Sequence, residues 1–570
     1  MLSHNTEGLT SVLSRVYANR NIRSESELDY SIAKLLPFNL LKDIDNAVKI
    51  ISDAIKLDSN IVIIGDFDVD GATSTTVAVR SLHSMGAKNI NYLVPNRFEY
   101  GYGLTPEIVN VAFEKFNPDL IITVDNGISS IDGVTAAKNL NIKVVVTDHH
   151  LPAETLPVAD AIVNPNQHGD TFPSKMLAGV GVIFYVMLAL RSHLRAQNWF
   201  AETNIVEPNL AELLDLVALG TVADVVPLDY NNRILVSQGL ARIRSGKVSC
   251  GIQALIEVAG RDHKRLIASD FGFAIAPRLN AAGRLDDMSL GIRCLLSQSP
   301  GEALAIAREL DQINLTRRDI EADMKEQALK QLDEMQLQES KLSKENDLPY
   351  GLCLYDENFH EGVVGIIASR IKERLNRPVI VFAKTTDNFL KGSGRSIKGL
   401  HIRDALDSVA AKHPELITKF GGHAMAAGLT IAEKNYPLFT QAFDSEVRQH
   451  LTEDDLQGVI TSDGELSADE LSMTTAEELR YAGPWGQLFP EPVFDGIFTI
   501  VSKRIVAEKH LKLILQPAGT KTEIDAIAFN MTDAHWPDNV TRVNIAYRLD
   551  INVFRGQQTL QLMVDHLEHV

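Results

Sequence analysis

The chain has 570 residues, enough for three or four domains with substantial cores, and at 45% hydrophobic and 23% charged residues it has an ordinary globular composition. A net charge of −19 excludes a protein coated in basic, phosphate-binding surface, although a local basic channel stays compatible with it. Three widely spaced cysteines, Cys250, Cys294 and Cys353, exclude a disulfide framework and read as buried apolar residues in a reducing compartment.

The first twenty residues, MLSHNTEGLTSVLSRVYANR, lack the apolar centre of a signal peptide. From about residue 50 to 165, apolar β-rich runs at 61–64, 90–94, 120–124 and 143–147 alternate with helical stretches near 72–85, 106–116 and 129–139. Such alternation predicts a parallel sheet wrapped by helices, with ligands beyond the carboxyl ends of the strands. The longest apolar run, Leu177 to Leu190, has 14 residues, too few to span a bilayer, and predicts a buried helix. A cytoplasmic protein with no membrane partner is expected.

Ser299-Pro300-Gly301-Glu302 predicts a helix start, with a capping serine, an early proline and an acid three residues on. The stretch then runs without Gly or Pro to about Gln336, which at 1.5 Å per residue gives a rod of roughly 54 Å, a length suited to connecting two lobes. The polar segment 341–349 predicts a linker, and a second α/β pattern follows to about 450. After about 460, five short β-rich runs separated by turns predict a small barrel.

The chemistry concentrates after the apolar runs. Ile61-Val62-Ile63-Ile64 leads into Asp66, Asp68 and Asp70, capped by Gly71. In extended chain, alternate residues share one side, so three carboxylates would crowd at a strand end and require a divalent cation. An EF-hand is excluded: its twelfth loop position, a bidentate Glu, is Val77 here, and a strand precedes the loop. Asp125-Asn126-Gly127 follows the next run, and Asp148-His149-His150 the one after. Asp224 closes a further apolar stretch at 213–222, also expected to behave as a strand.

These residues suffice for two divalent ions. Oxygen ligands favour Mg²⁺, Mn²⁺ or Ca²⁺, and an imidazole in the set favours Mn²⁺ over Mg²⁺. Paired ions about 3.5–4 Å apart suit hydrolysis at phosphorus. If the two histidines sit on a strand end their rings point apart, so at most one of His149 and His150 is expected as a ligand and the other as a supporting group or a proton donor. Between Arg370 and Arg403 nine Lys/Arg face two acids, and Gly392-Ser393-Gly394-Arg395-Ser396 offers backbone N–H groups and a guanidinium for a phosphate.

In order and spacing, D-x-D-x-D-G, V-D-N-G, D-H-H and A-D resemble the DHH phosphoesterase superfamily. The segments PNRFEYGYGL (95–104), APRLNAAGR (276–284), FHEGVVGIIASR (359–370), GSGRSI (392–397) and FGGHAMAAG (420–428) resemble those of the RecJ family of bacterial single-strand-specific 5′→3′ exonucleases. Phe359-His360-Glu361 stands where many relatives carry Trp-His-Gln, a departure that touches no metal ligand.

The resemblance implies a parallel-sheet DHH catalytic domain within 1–298, a connecting helix at 299–340, a DHHA1-type α/β domain at 341–455 and an OB-type barrel at 456–570. It implies two Mn²⁺ or Mg²⁺ held by Asp66, Asp68, Asp70, Asp125, His149 and Asp224, with His150 also catalytic. Phosphate or DNA contacts are implied for Arg97, Asn280, Arg284, His360, Ser393, Arg395, Ser396 and His423, lining a cleft between the lobes. The implied activity releases 5′-mononucleotides from single-stranded DNA during repair and recombination, by a monomer working with a single-strand-binding protein and a helicase. Alternatives are a DHH phosphodiesterase for short oligonucleotides or nucleotide phosphates, whose relatives are shorter and lack the barrel, or a non-catalytic DNA-binding scaffold, disfavoured by the full ligand set.

Overall fold

A computed structural model describes residues 9–95, 103–342, 348–385, 388–531 and 540–570. The first sheet contains β1 (Ile61–Ile64), β2 (Ile90–Leu93), β3 (Leu120–Val124), β4 (Lys143–Thr147) and β5 (Ala161–Val163), all parallel, in the order β2-β1-β3-β4-β5. Strands β1, β3 and β5 are buried along their whole length, as their unbroken apolar runs require of strands covered on both faces. The chain order reverses between β1 and β3, and a cleft opens beyond the strand ends at such a switch point. Asn126 ties the two ends together, donating through Nδ2 to the Ile64 and Val124 carbonyls.

Helix Val69–Ser84 follows β1 and packs against helices Gly179–Ala196 and Leu214–Ala223. Gly179–Ala196 contains most of the long apolar run; it is long and apolar enough to cross a membrane, yet 67% of that span is buried inside the fold. The stretch before Asp224 is helical, against the expectation of a strand, and Asp224 is its C-terminal cap. Leu214–Thr221 is buried on every side, so no polar face marks the helical period, and period alone does not separate a buried helix from a buried strand.

A mixed sheet contains β6 (Leu352–Tyr355), β7 (Val379–Lys384), β8 (Phe389–Arg395), β9 (Lys419–Gly422) and β10 (Ala426–Ala432), ordered β6-β7-β8-β10-β9. Strands β11 (Phe494–Val506), β12 (His510–Pro517), β13 (Ile524–Ala528), β14 (Arg542–Phe554) and β15 (Gln557–His569) close the barrel expected at the end of the chain. Helix Pro300–Leu342 has 43 residues and is roughly 65 Å long.

The chain divides into two compact units, residues 1–311 with 461–570, and residues 312–460. In the first, the N-terminal helix Ser11–Asn19 packs on barrel-domain residues. Arg20 pairs with Asp463 in a buried two-pronged contact at 2.9 and 3.0 Å, donates to the Pro490 carbonyl and lies over the Trp485 ring. Tyr17 donates to the Ala482 carbonyl. Removing one partner of a buried ion pair leaves the other charge uncompensated, at a cost of about 3–5 kcal/mol. Asp463→Ala is therefore expected to destabilise the protein by about that amount, read as a lower urea midpoint by circular dichroism.

Candidate metal centre

Only the first part of D-x-D-x-D-G lies near extended chain. Asp66 follows β1, Asp68 caps helix Val69–Ser84 by accepting from the Gly71 N–H at 3.1 Å, and Asp70 sits in that helix's first turn. The expected alternation along a strand is therefore a strand–turn–helix. Aspartate is favoured at a helix cap and first turn, so capping chemistry overrides the extended reading. Asp70 is buried and accepts from the N–H groups of Gly179 and Val180, at 2.6 and 2.9 Å, at the start of the Gly179–Ala196 helix. Asp125 follows β3 in a left-handed conformation (φ +62°), tolerated by a short polar side chain.

Two glycines allow the acids to meet. A Cβ at Gly179 would fall 2.6 Å from the Asp125 Cβ, and one at Gly283 would fall 1.8 Å from the Phe67 carbonyl oxygen. The second contact seats helix Ala276–Leu285 directly on the acidic loop, where Asn280 accepts from the Val69 N–H at 3.2 Å and the partly buried Arg284 occupies the last turn.

His149 Nε2 lies 3.1 Å from Asp125 Oδ1 and 3.5 Å from Asp224 Oδ2. The ring of His150 does not point away from it: the ring centroids are 4.4 Å apart. The chain has left β4 by Asp148, so strand alternation no longer governs these residues. Potential ligand atoms gather in three groups, each within 4.8 Å: Asp66, Asp68 and Asp125; Asp125, His149 and His150; and Asp70, His149 and Asp224. Asp125 and His149 are each shared by two groups, which fits two ions held close together.

The acids carry the electrostatic signature of such a site. Burial first, and then the Asp68 charge, push Asp70 up to about 7. Burial and the neighbouring aspartates push Asp125 and Asp224 well above the ordinary carboxylate range. Asp148 behaves oppositely. Burial opposes its charge, but the His150 ring at 2.7 Å and the backbone N–H groups of Ile128, His149 and His150 hold it down at about 2. Burial opposes a charged His150 as well, but Asp148 outweighs this and raises it to about 9. Asp148 thus orients the His150 ring through Nδ1. Sequence reasoning gave Asp148 no role; its place directly before two candidate histidines was the available signal.

The other expected contacts lie outside the cluster. Arg395, at the end of β8, donates to Ser393 Oγ at 3.0 Å and to the Gly394 carbonyl at 2.8 Å, and burial lowers its pKa. No carboxylate pairs with it among the described residues. A Cβ at Gly365, in the first turn of helix Val364–Leu375, would meet its guanidinium at 3.0 Å. A guanidinium without a counter-charge beside a helix N-terminus is a ready anion site. The backbone of β8 is no phosphate cradle, however: the strand is paired with β7 on one side and β10 on the other, which occupies its N–H groups. Its glycines serve packing, since a Cβ at Gly392 would fall 2.6 Å from Phe382. Ser396 is also turned inward, buried and donating to the Leu400 carbonyl. His360 accepts from the Gly362 N–H at 3.0 Å, His423 is exposed at the β9–β10 turn, and Arg97 lies outside the described residues.

A five-stranded parallel sheet carrying this acid and histidine cluster at its switch point defines a DHH-type phosphoesterase domain, and the DHH family, N-terminal domain, matches residues 60–221. The DHHA1 domain matches 349–449 and the RecJ OB domain 462–566. The chain is 55% identical to the single-stranded-DNA-specific exonuclease RecJ of Escherichia coli over 98% of its own length and 96% of the relative's, and 50% identical to that of Haemophilus influenzae over the same shares. It superposes on the crystal structure of Thermus thermophilus RecJ in complex with Mn²⁺ with a TM-score of 0.79 at 30% identity, covering 98% of this chain and 76% of that one. The chain belongs to the RecJ family.

Because burial and neighbouring charges push Asp70 up to about 7 and raise Asp125 and Asp224, the cluster without metal holds protons that an ordinary carboxylate has lost. A divalent cation must displace them, so its affinity rises as pH increases toward and past 7 and falls below it. Calorimetric titration with Mn²⁺ at pH 6 and pH 8 should show tighter binding at pH 8, with protons released to buffer.

Proposed function

We propose that this chain is a single-strand-specific DNA exonuclease that hydrolyses phosphodiester bonds from the 5′ end, releasing 5′-mononucleotides. The observation that carries the proposal is the complete acid and histidine cluster at the switch point of a chain 55% identical, end to end, to single-stranded-DNA-specific exonucleases. Asp66, Asp68, Asp70, Asp125, His149 and Asp224 would hold two divalent cations, and the Thermus thermophilus relative has been crystallised with Mn²⁺ and with Mg²⁺. Such ions supply charge neutralisation at the phosphoryl oxygens and a more acidic water.

The chain's own residues do the rest. Asp148 fixes the ring of His150, and Asn280 holds the turn that carries Asp68. Arg395 supplies positive charge for a phosphate of the strand, with Ser393 bracing its guanidinium. Polarity rests on the family resemblance. A role in repair and recombination, in the cytoplasm, as a monomer using strands opened by a helicase and coated by a single-strand-binding protein, belongs to the same proposal. The deciding experiment is digestion of 5′-labelled and 3′-labelled single strands with Mn²⁺, with and without chelator. Release of labelled mononucleotide first from the 5′ label supports the reading, and first release from the 3′ label overturns its polarity.

Asp125→Ala removes a carboxylate shared by two ligand groups. Its hydrolysis rate in Mn²⁺ should fall by more than about a hundredfold, exceeding the loss seen when only supporting groups are removed, with an unchanged circular dichroism spectrum. Arg395→Ala should keep its metal content while weakening strand binding. One phosphate contact fewer reduces the slope of log K against log salt by about 0.7, measurable by fluorescence anisotropy between 50 and 200 mM salt.

A further inference from the structure

Beside the metal cluster the first unit contains a cavity of about 360 Å³ to which no role attaches so far. One wall comes from the catalytic domain: Val222 and Val225, which flank Asp224, together with Gly272 and Phe273. The opposite wall comes from the barrel domain and includes Tyr481, Trp485 and Leu549.

Two rare backbone features converge on the first wall. Val225 adopts a left-handed conformation (φ +60°), unfavourable for a β-branched residue, and is 65% exposed. Phe271–Ile275 forms a π-helical turn, a feature frequent at functional sites, and carries Phe273 with 83% of its surface exposed. Neither feature is explained by burial, because both side chains project from the core. Outlying backbone held against strain is a hallmark of a ligand site.

The polar lining selects the ligand. Arg480 is neutralised by Asp550 at 3.0 Å. Arg244 lies over the Tyr481 ring, 5.0 Å from its centroid, and donates through Nε to the Leu266 carbonyl, with the Arg480 and Asp270 charges acting on it in opposite senses, while Glu491 pairs with Arg548 at 3.0 Å. The site therefore combines apolar walls, an open aromatic face and a rim of balanced charges, which suits a planar ring with polar edges. At about 360 Å³ it lies near the lower end of the roughly 300–1,000 Å³ typical of small-ligand sites, room for one base with its sugar.

We propose that this cavity receives one nucleobase of the substrate strand, stacked on Phe273, and so sets the register of the strand against the metal centre. The proposal rests on the exonuclease reading. A base in a duplex is paired and stacked and must be extruded to enter such a cavity, whereas every base of a single strand offers a free face. The cavity thereby contributes to strand selectivity, with Phe273 as its specificity-determining residue.

The test uses the full chain with Mn²⁺ and 3′-labelled single strands carrying one abasic residue at successive distances from the 5′ end. Wild type should show one excision step slowed about tenfold, at a fixed distance between the abasic residue and the scissile bond, which is the scale of losing one base–aromatic stack. Phe273→Ala should excise intact strands more slowly by a similar factor and show no contrast between abasic and intact strands. Phe273→Trp, which keeps an aromatic face, should retain the contrast. Digestion by wild type with no slow step at any distance, or a slow step that survives in Phe273→Ala, overturns the proposal and leaves the exonuclease reading standing. Absence of any Mn²⁺-dependent digestion overturns both. Millimolar dAMP should leave the wild-type contrast unchanged; if it erases the contrast, the cavity is a site for the released mononucleotide and the strand proposal falls.

Discussion

The organising constraint of the first unit is mutual repulsion among carboxylates that the fold itself drives together. Asp66, Asp70 and Asp125 are all buried, Asp68 and Asp224 stand beside them, and each raises the energy of its neighbours' charge. Such a cluster persists because the scaffold beneath is rigid. Two buried strand ends are stitched by Asn126, two backbone N–H groups at a helix start hold Asp70, and glycines permit spacing that any side chain would prevent. A bound cation relieves that repulsion, so metal affinity and fold stability are coupled at this site.

Asp148 illustrates how one charge can be treated differently from its neighbours a few ångströms away. It is as buried as Asp125, but three backbone N–H groups and an imidazole satisfy it, so it stays ionised while the others resist ionisation. The contrast separates a carboxylate balanced by an imidazole and three N–H groups from carboxylates crowded by one another's charge.

Much of this was legible in the sequence because the acids follow apolar runs. Strand ends deliver residues to a switch point whatever the local turn, so identifying Asp66, Asp125 and His149 required only the alternating pattern of elements. Local geometry was less legible. The D-x-D-x-D spacing reads as extended chain, but Asp68 is a helix cap and Asp70 a first-turn acid, since capping hydrogen bonds outweigh a period of two. The helix before Asp224 was hidden because it is apolar on all faces. The GSGRSI segment suggests a flexible phosphate loop, yet a strand's neighbours are set by tertiary pairing, and β8 has one on each side. In the barrel, Phe498 packs edge-on against Tyr547 in the core, while Phe529 is 48% exposed beside His510.

The contact between Arg20 and Asp463 joins residues 443 positions apart. At about 5–20 residues per second of synthesis, the N-terminal helix waits roughly 20–90 s before its partner exists. During that interval Val12, Leu13, Val16 and Tyr17, all buried in the finished protein, have nothing from the barrel domain to cover them. Helix Ser11–Asn19 is thus made long before its partner and docks only once the barrel domain exists, so a ribosome that stops short of the barrel leaves this apolar face without the surface that covers it.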